Sequence, residues 1–125
     1  MTILDDSAEE LKKIEQTINE REKNLAADGP ARLELHRQIG EQLLKAKAIA
    51  RKTFDDWVTT TFNRKHEWRC SHMRLAKRWN EILQARAWAD AQSHKLAVVH
   101  SVDGALELLR VWEEACGRVT SKNKV

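Results

Sequence analysis

Leu4, Leu11, Ile14, Ile18 and Leu25 recur mostly three, four or seven residues apart through an otherwise charged opening segment. That spacing draws one narrow apolar seam along a helix. Ser7 followed by Glu10 has the form of a capping box, so a helix is predicted over about 7–27. Leu4, Leu11, Ile18 and Leu25 share one heptad position, and the alternate position holds Ser7, Ile14 and Arg21. The seam is therefore coiled-coil-like but imperfect. Two readings stay open: a helix lying on its own domain, or a dimerising helix that uses Leu4, Leu11, Ile14, Ile18 and Leu25.

Asp28-Gly29-Pro30 ends this segment, since Gly suits a left-handed helix end and Pro the first turn of the next helix. The chain divides there into an N-terminal helix (1–28), a helical domain (29–117) and a basic tail (118–125). Leu33, Leu35, Ile39, Leu43, Leu44, Ala46 and Ile49 form a wider stripe, which predicts a helix over about 31–51. A glycine inside a helix costs about 1 kcal/mol relative to alanine, so Gly40 marks a close helix crossing.

Thr53 with Asp56 reads as a second capping box, opening a short helix with Phe54, Trp57, Val58 and Phe62 inward. Asn63 tolerates positive φ and predicts a tight corner. The helical pattern resumes near Lys65 through Trp68, Leu75, Trp79 and Ile82, widened by Met73, Ala76 and Leu83, and ends between 84 and 92. Residues 93–100 read as a linker with a short apolar plug. Ser101 caps a last helix through Val102, Leu106, Leu109, Val111, Trp112 and Ala115 to Gly117. The fold class is all-α, and one Pro and four Gly in 125 residues with 33% charged side chains agree with it.

Charge changes the picture by its distribution. The net charge is only +3, but residues 1–30 hold eight acidic and four basic residues, whereas 51–86 hold nine basic and four acidic. An anionic partner is expected for the middle of the chain alone. A short helix, a corner of about three residues and a second helix with a basic flank form the outline of a helix-turn-helix, whose second helix enters the major groove. Arg64, Lys65, His66, Arg69, Arg74, Lys77 and Arg78 are the candidate DNA-binding residues. Glu67 opposes phosphate unless it accepts a hydrogen bond from a cytosine amino group.

Over about 35–110 the chain resembles a family of uncharacterised proteins of bacteria, phages and plasmids. The motifs that carry the resemblance are Ile39-Gly40 with Leu43-Leu44 and Ala46-Lys47, then Phe54 to Trp57, then Met73-Arg74-Leu75-Ala76, then Ala105 to Leu109. The resemblance implies an all-helical fold with a helix-turn-helix-like element and an origin in mobile-element biology. At the corner the family carries Gly where this chain has Asn63, and small residues where it has Glu67-Trp68-Arg69.

Other chemistry narrows the reading further. Trp57, Trp68, Trp79, Trp88 and Trp112 sit at helix-compatible places as core or interface rings, with Trp68 and Trp88 the candidates for stacking on single strands. His66, Cys70 and His72 form an H-x3-C-x-H cluster without a CxxC or a fourth ligand, so no metal is expected. Neither a nucleophile with an ordered base nor a phosphate-cradling Gly loop is evident, so neither an enzyme nor a cofactor is expected. Cys70 and Cys116 in a chain without a signal-like run or a membrane-length apolar run predict a soluble, cytoplasmic setting. The expected function is a DNA-binding regulator of transcription or replication, homodimeric and away from membranes. The alternative is a protein-binding antiactivator or inhibitor that sequesters a regulator or enzyme.

Overall fold

The computed structural model describes residues 3–26, 29–98 and 101–117, with side chains over 7–25, 32–98 and 101–117. The described residues are all-helical: α1 (Ile3–Lys23), α2 (Gly29–Ala50), α3 (Phe54–Phe62), α4 (His66–Lys77), α5 (Trp79–Ala91) and α6 (Val102–Ala115), with 3-10 turns at Asn24–Ala26, Arg51–Thr53 and Lys95–Val98. Among them, no helix is long and apolar enough to cross a membrane. Asp28 and the tail 118–125 lie outside the described residues.

The helices sort their apolar stripes into two cores. The first gathers Ile14 and Ile18 of α1, Ile39, Leu43 and Ala46 of α2, Phe54 and Val58 of α3, and Met73 of α4. The second gathers Leu33, Leu75, Ile82, Ala85, Ala89, Val102, Ala105, Leu108, Leu109 and Trp112, from α2, α4, α5 and α6. Helices α2 and α4 contribute to both, and they meet at Gly40. A Cβ there would lie 2.0 Å from the carbonyl oxygen of His72 and 2.9 Å from Cβ of Ala76. The mid-helix glycine is therefore a condition of the crossing, as its place in the stripe predicts.

Local signals fared unevenly. Ser101 caps α6, its hydroxyl accepting from the Gly104 N–H at 3.0 Å. Asn63 takes a left-handed conformation (φ 49, ψ 47) and closes α3, donating its N–H to Thr59 O at 3.0 Å. Ser7, by contrast, lies inside α1, which already runs from Ile3, so the expected capping box does not open that helix. Thr53 occupies the N-cap position of α3, but its hydroxyl donates back to Ala50 O at 2.9 Å and caps nothing. The expected helix from Lys65 to 84 or beyond is two helices, broken at Arg78 (φ −108, ψ 20). Leu83 of α5 is exposed, although the expected stripe places it inward. Trp57 and Trp79, expected inward, sit half-buried at the core margins.

Candidate nucleic-acid interface

Asn63 turns the chain, Lys65 is extended (φ −65, ψ 158), and α4 begins at His66 without a side-chain cap. The helical period then divides α4 into two faces. Arg69, His72, Met73 and Leu75 are buried, and His66, Glu67, Cys70, Arg74 and Lys77 are exposed, with Lys65 exposed just ahead of them. Cys70 Sγ lies 3.1 Å from His66 Nε2.

The seven candidate cations therefore do not form one face. Arg64 donates to Glu22 of α1 at 2.7 Å and lies over the Trp68 ring at 5.1 Å. Arg78 donates to Glu81 at 2.7 Å and also to Glu113 of α6, and those hydrogen bonds raise its pKa. Arg69 is the main correction: expected outside near base edges, it is 6% exposed and faces inward. Its Nε is 3.2 Å from Asp55 Oδ1 without hydrogen-bond alignment, and its Nε and Nη1 find no hydrogen-bond partner among the described residues. The reason is helical phase, since Arg69 is one turn from Met73 and shares its inner face. Lys65, His66, Arg74 and Lys77 remain outward. A shallow groove of about 310 Å³ runs along Cys70, Met73, Arg74, Lys77 and Arg78. On the other side of Arg74 and Arg78, a cleft of about 400 Å³ towards α6 is lined by Asp103, Glu107 and Glu113 as well as Arg110.

The dimerisation seam meets a similar sorting. Ile14 and Ile18 are buried in the chain's own core, and Leu11 and Leu25 pack partly buried against it; the side chain of Leu4 lies outside the described ones. Arg21 of the same helix donates to Gln38 Oε1 of α2 at 2.6 Å. Ile14 and Ile18 in this arrangement serve the first core and are not open to a second copy, because the seam that reads as coiled-coil-like lies on α2.

One polar constellation escaped the sequence entirely. His72 Nδ1 is 2.7 Å from Trp68 O, and its Nε2 is 2.9 Å from His36 Nδ1. A carbonyl only accepts, so His72 carries its proton on Nδ1 and accepts at Nε2. His36 then donates from Nδ1, which leaves its own Nε2 with a free lone pair. Burial, then the neighbouring His72 and Arg32, push the His36 pKa down to about 4. Burial also lowers that of His72, against the Trp68 carbonyl, which raises it. The pair borders a cleft of about 350 Å³ with Arg32, Glu67, Trp68, Ser71, Ser101 and Asp103. His72 is thereby drawn away from the H-x3-C-x-H cluster, and no group of three or more metal-ligating side chains occurs among the described residues. The histidines lie 36 residues apart, so no local spacing announces them.

Rings continue the constellation outward. His36, His72, Trp68, Phe62, Trp57 and Phe54 follow one another with neighbouring centroids 5.0 to 6.3 Å apart, within the range of favourable aromatic pairs. Trp68 is thus half-buried in a ring stack. Compared with models of protein families, with curated proteins and with solved structures, the chain matches none.

Proposed function

We propose that this protein is a small helical DNA-binding regulator, with α3, the Asn63 corner and α4 acting as a helix-turn-helix. The observation that carries this reading is the division of cations on α4. Arg64, Arg69 and Arg78 have carboxylate neighbours within the chain, whereas Lys65, Arg74 and Lys77 stand on the outer flank with no carboxylate within ion-pair distance among the described residues. Free cations along one helix flank suit phosphates, which position a duplex without reading its sequence. The burial of Arg69 removes the best candidate for base reading, so the binding proposed is led by phosphate contacts.

The test is duplex affinity as a function of salt. Replacing Lys65, Arg74 and Lys77 together with Ala should weaken binding to all sequences alike and flatten the salt dependence by about 0.9 for each phosphate no longer neutralised. Absence of duplex binding by the intact protein at low salt would sink the proposal. The protein-partner reading would then take its place, favoured by a groove of about 350 Å³ between α1 and α3 that Ala8, Leu11 and Trp57 line together with Lys12 and Glu15.

A further inference from the structure

We infer that the end of α2 is a second phosphate-anchoring surface, formed by Lys45, Lys47, Arg51 and Lys52, which grips the same duplex as α4. This rests on the DNA-binding reading above and extends it to residues outside the helix-turn-helix.

Four cations occur within residues 45–52, and residues 42–54 contain no Asp or Glu. All four are exposed. None has a carboxylate within ion-pair distance among the described residues. The lysines share this with the other described lysines, but Arg51 differs from Arg21, Arg37, Arg64, Arg69, Arg78 and Arg110, which each have one. The helix dipole accounts for a cation in the last turn, which is Lys47. It does not account for Lys45 before that turn or for two more cations beyond the helix.

Arg51 supplies an independent argument. Its φ is +51, a left-handed backbone that a Cβ disfavours. Glycine is the usual occupant of such a position after a helix, with asparagine the common substitute. Gly117 and Asn63 follow that rule at the ends of α6 and α3, whereas Ser93 after α5 (φ 54) departs from it with a small side chain and Arg51 with a long charged one. At the end of α2 the chain keeps an arginine in the strained position, and the guanidinium has no carboxylate partner inside the described structure. The turn itself closes through the Phe54 N–H donating to Arg51 O, which glycine at 51 would allow equally. It is therefore the arginine side chain that gains nothing inside the described structure and points to an external partner.

The spacing suits a polyanion. At about 3.6 residues per turn Lys45 and Lys47 leave α2 about 160° apart, on either side of its outer face. Arg51 and Lys52 lie in the turn beyond its end, so the four surround the tip of the helix, and one DNA strand offers a phosphate about every 3.4 Å of axis. The surface also lies beside α4, because Asp55, at the start of α3, reaches Arg69 of α4 at 3.2 Å.

Arg51→Gly provides a test that the fold should survive, since glycine relaxes the backbone while removing the charge. Duplex binding by the full chain would be measured by fluorescence anisotropy across a salt series, beside thermal melting of each variant. Arg51→Gly should melt no lower than the wild type, bind random duplex several-fold more weakly and flatten the salt slope by about 0.9. Changing Lys45, Lys47 and Lys52 to Gln as well should flatten it further. If the fourfold variant keeps the wild-type affinity and slope while the Lys65/Arg74/Lys77 variant loses both, the α2 end lies outside the footprint and this inference alone is wrong. A wild type that binds no duplex overturns both proposals.

Discussion

The two cores of this protein differ less in their apolar lining than in the polar side chains buried beside them. The rear core, around Leu33, Leu75, Ile82 and Leu108, is aliphatic apart from Trp112, with Trp79 and Trp88 packed against its edge. The front core, around Ile18, Ile39, Leu43, Phe54 and Val58, is edged by the rings of Trp57, Phe62 and Trp68. On the α4 surface beside those rings lie Arg69 and His72, the two buried polar side chains identified in the fold. Apolar burial stabilises both halves in the same way and is indifferent to proton concentration. A buried imidazole is not, because a low-dielectric place disfavours its charged form, and a poorly paired guanidinium, which stays charged, adds the cost of burial without full partners. The front half therefore carries the polarity, and with it the sensitivity to solution conditions.

The largest effect should come where the halves share a wall. On an exposed helix surface Gly→Ala would gain about 1 kcal/mol. At Gly40 the added Cβ would meet the His72 carbonyl at 2.0 Å, and backbone cannot swing aside as a side-chain end can. Gly40→Ala should therefore cost upwards of about 3 kcal/mol, at the upper end of overpacking penalties. A urea midpoint that rises in this variant would refute the close α2–α4 crossing.

Leu108→Ala probes the rear half alone. As a fully buried leucine, it should cost about 2–5 kcal/mol, and the loss should be equal at pH 7 and pH 5. A loss that shrinks markedly on acidification would show the two halves to be coupled.

The front half should respond to pH instead. The His36 and His72 pKa values are lowered in the folded chain, so between about 6.5, the ordinary value, and about 4 the unfolded chain binds more protons. Stability is then fully present above pH 6.5 and declines as the pH falls towards 4. Replacing both histidines with Gln should flatten the curve in that window. An unchanged slope in the double variant would assign the acid sensitivity elsewhere.

The smallest effect is expected at Arg69. Exchanging a buried, imperfectly paired ion for an apolar side chain of similar length is often neutral or stabilising, so Arg69→Met should leave the denaturation midpoint unchanged or raise it slightly. A drop of more than about 2 kcal/mol, the scale of a charged group left unpaired, would mean that the Asp55 contact stabilises the front half after all.

The helices themselves were legible because their signals are local. Period, a left-handed corner at Asn63, a hydroxyl cap at Ser101 and a crossing glycine at position 40 each need only a few neighbouring residues to be read. The features that stayed hidden depended on distant partners. Arg78 breaks a helix without Pro or Gly, while its side chain joins Glu81 to Glu113 of α6, and nothing near position 78 tells of α6. Arg69 reads as a surface charge by type, although its helical phase with Met73 turns it inward. His36 and His72 acquire meaning only when α2 and α4 touch. The candidate interface was accordingly half readable: the outward Lys65, His66, Arg74 and Lys77 followed from the pattern, but the inward Arg69 and the paired Arg64 and Arg78 did not. The basic end of α2 was visible as charge, and only its left-handed Arg51 set it apart.

Gly40 also sets a rule for how this chain can change over generations. Every single-nucleotide change in a glycine codon that alters the residue adds at least a Cβ or ends translation, and at position 40 that atom collides with backbone. Lineages that retain the α2–α4 crossing should therefore hold glycine there while an exposed neighbour such as Glu41 drifts more freely. A lineage that loses the glycine should show a compensating shift in the whole of α4, seen first as a larger or smaller residue at Ala76.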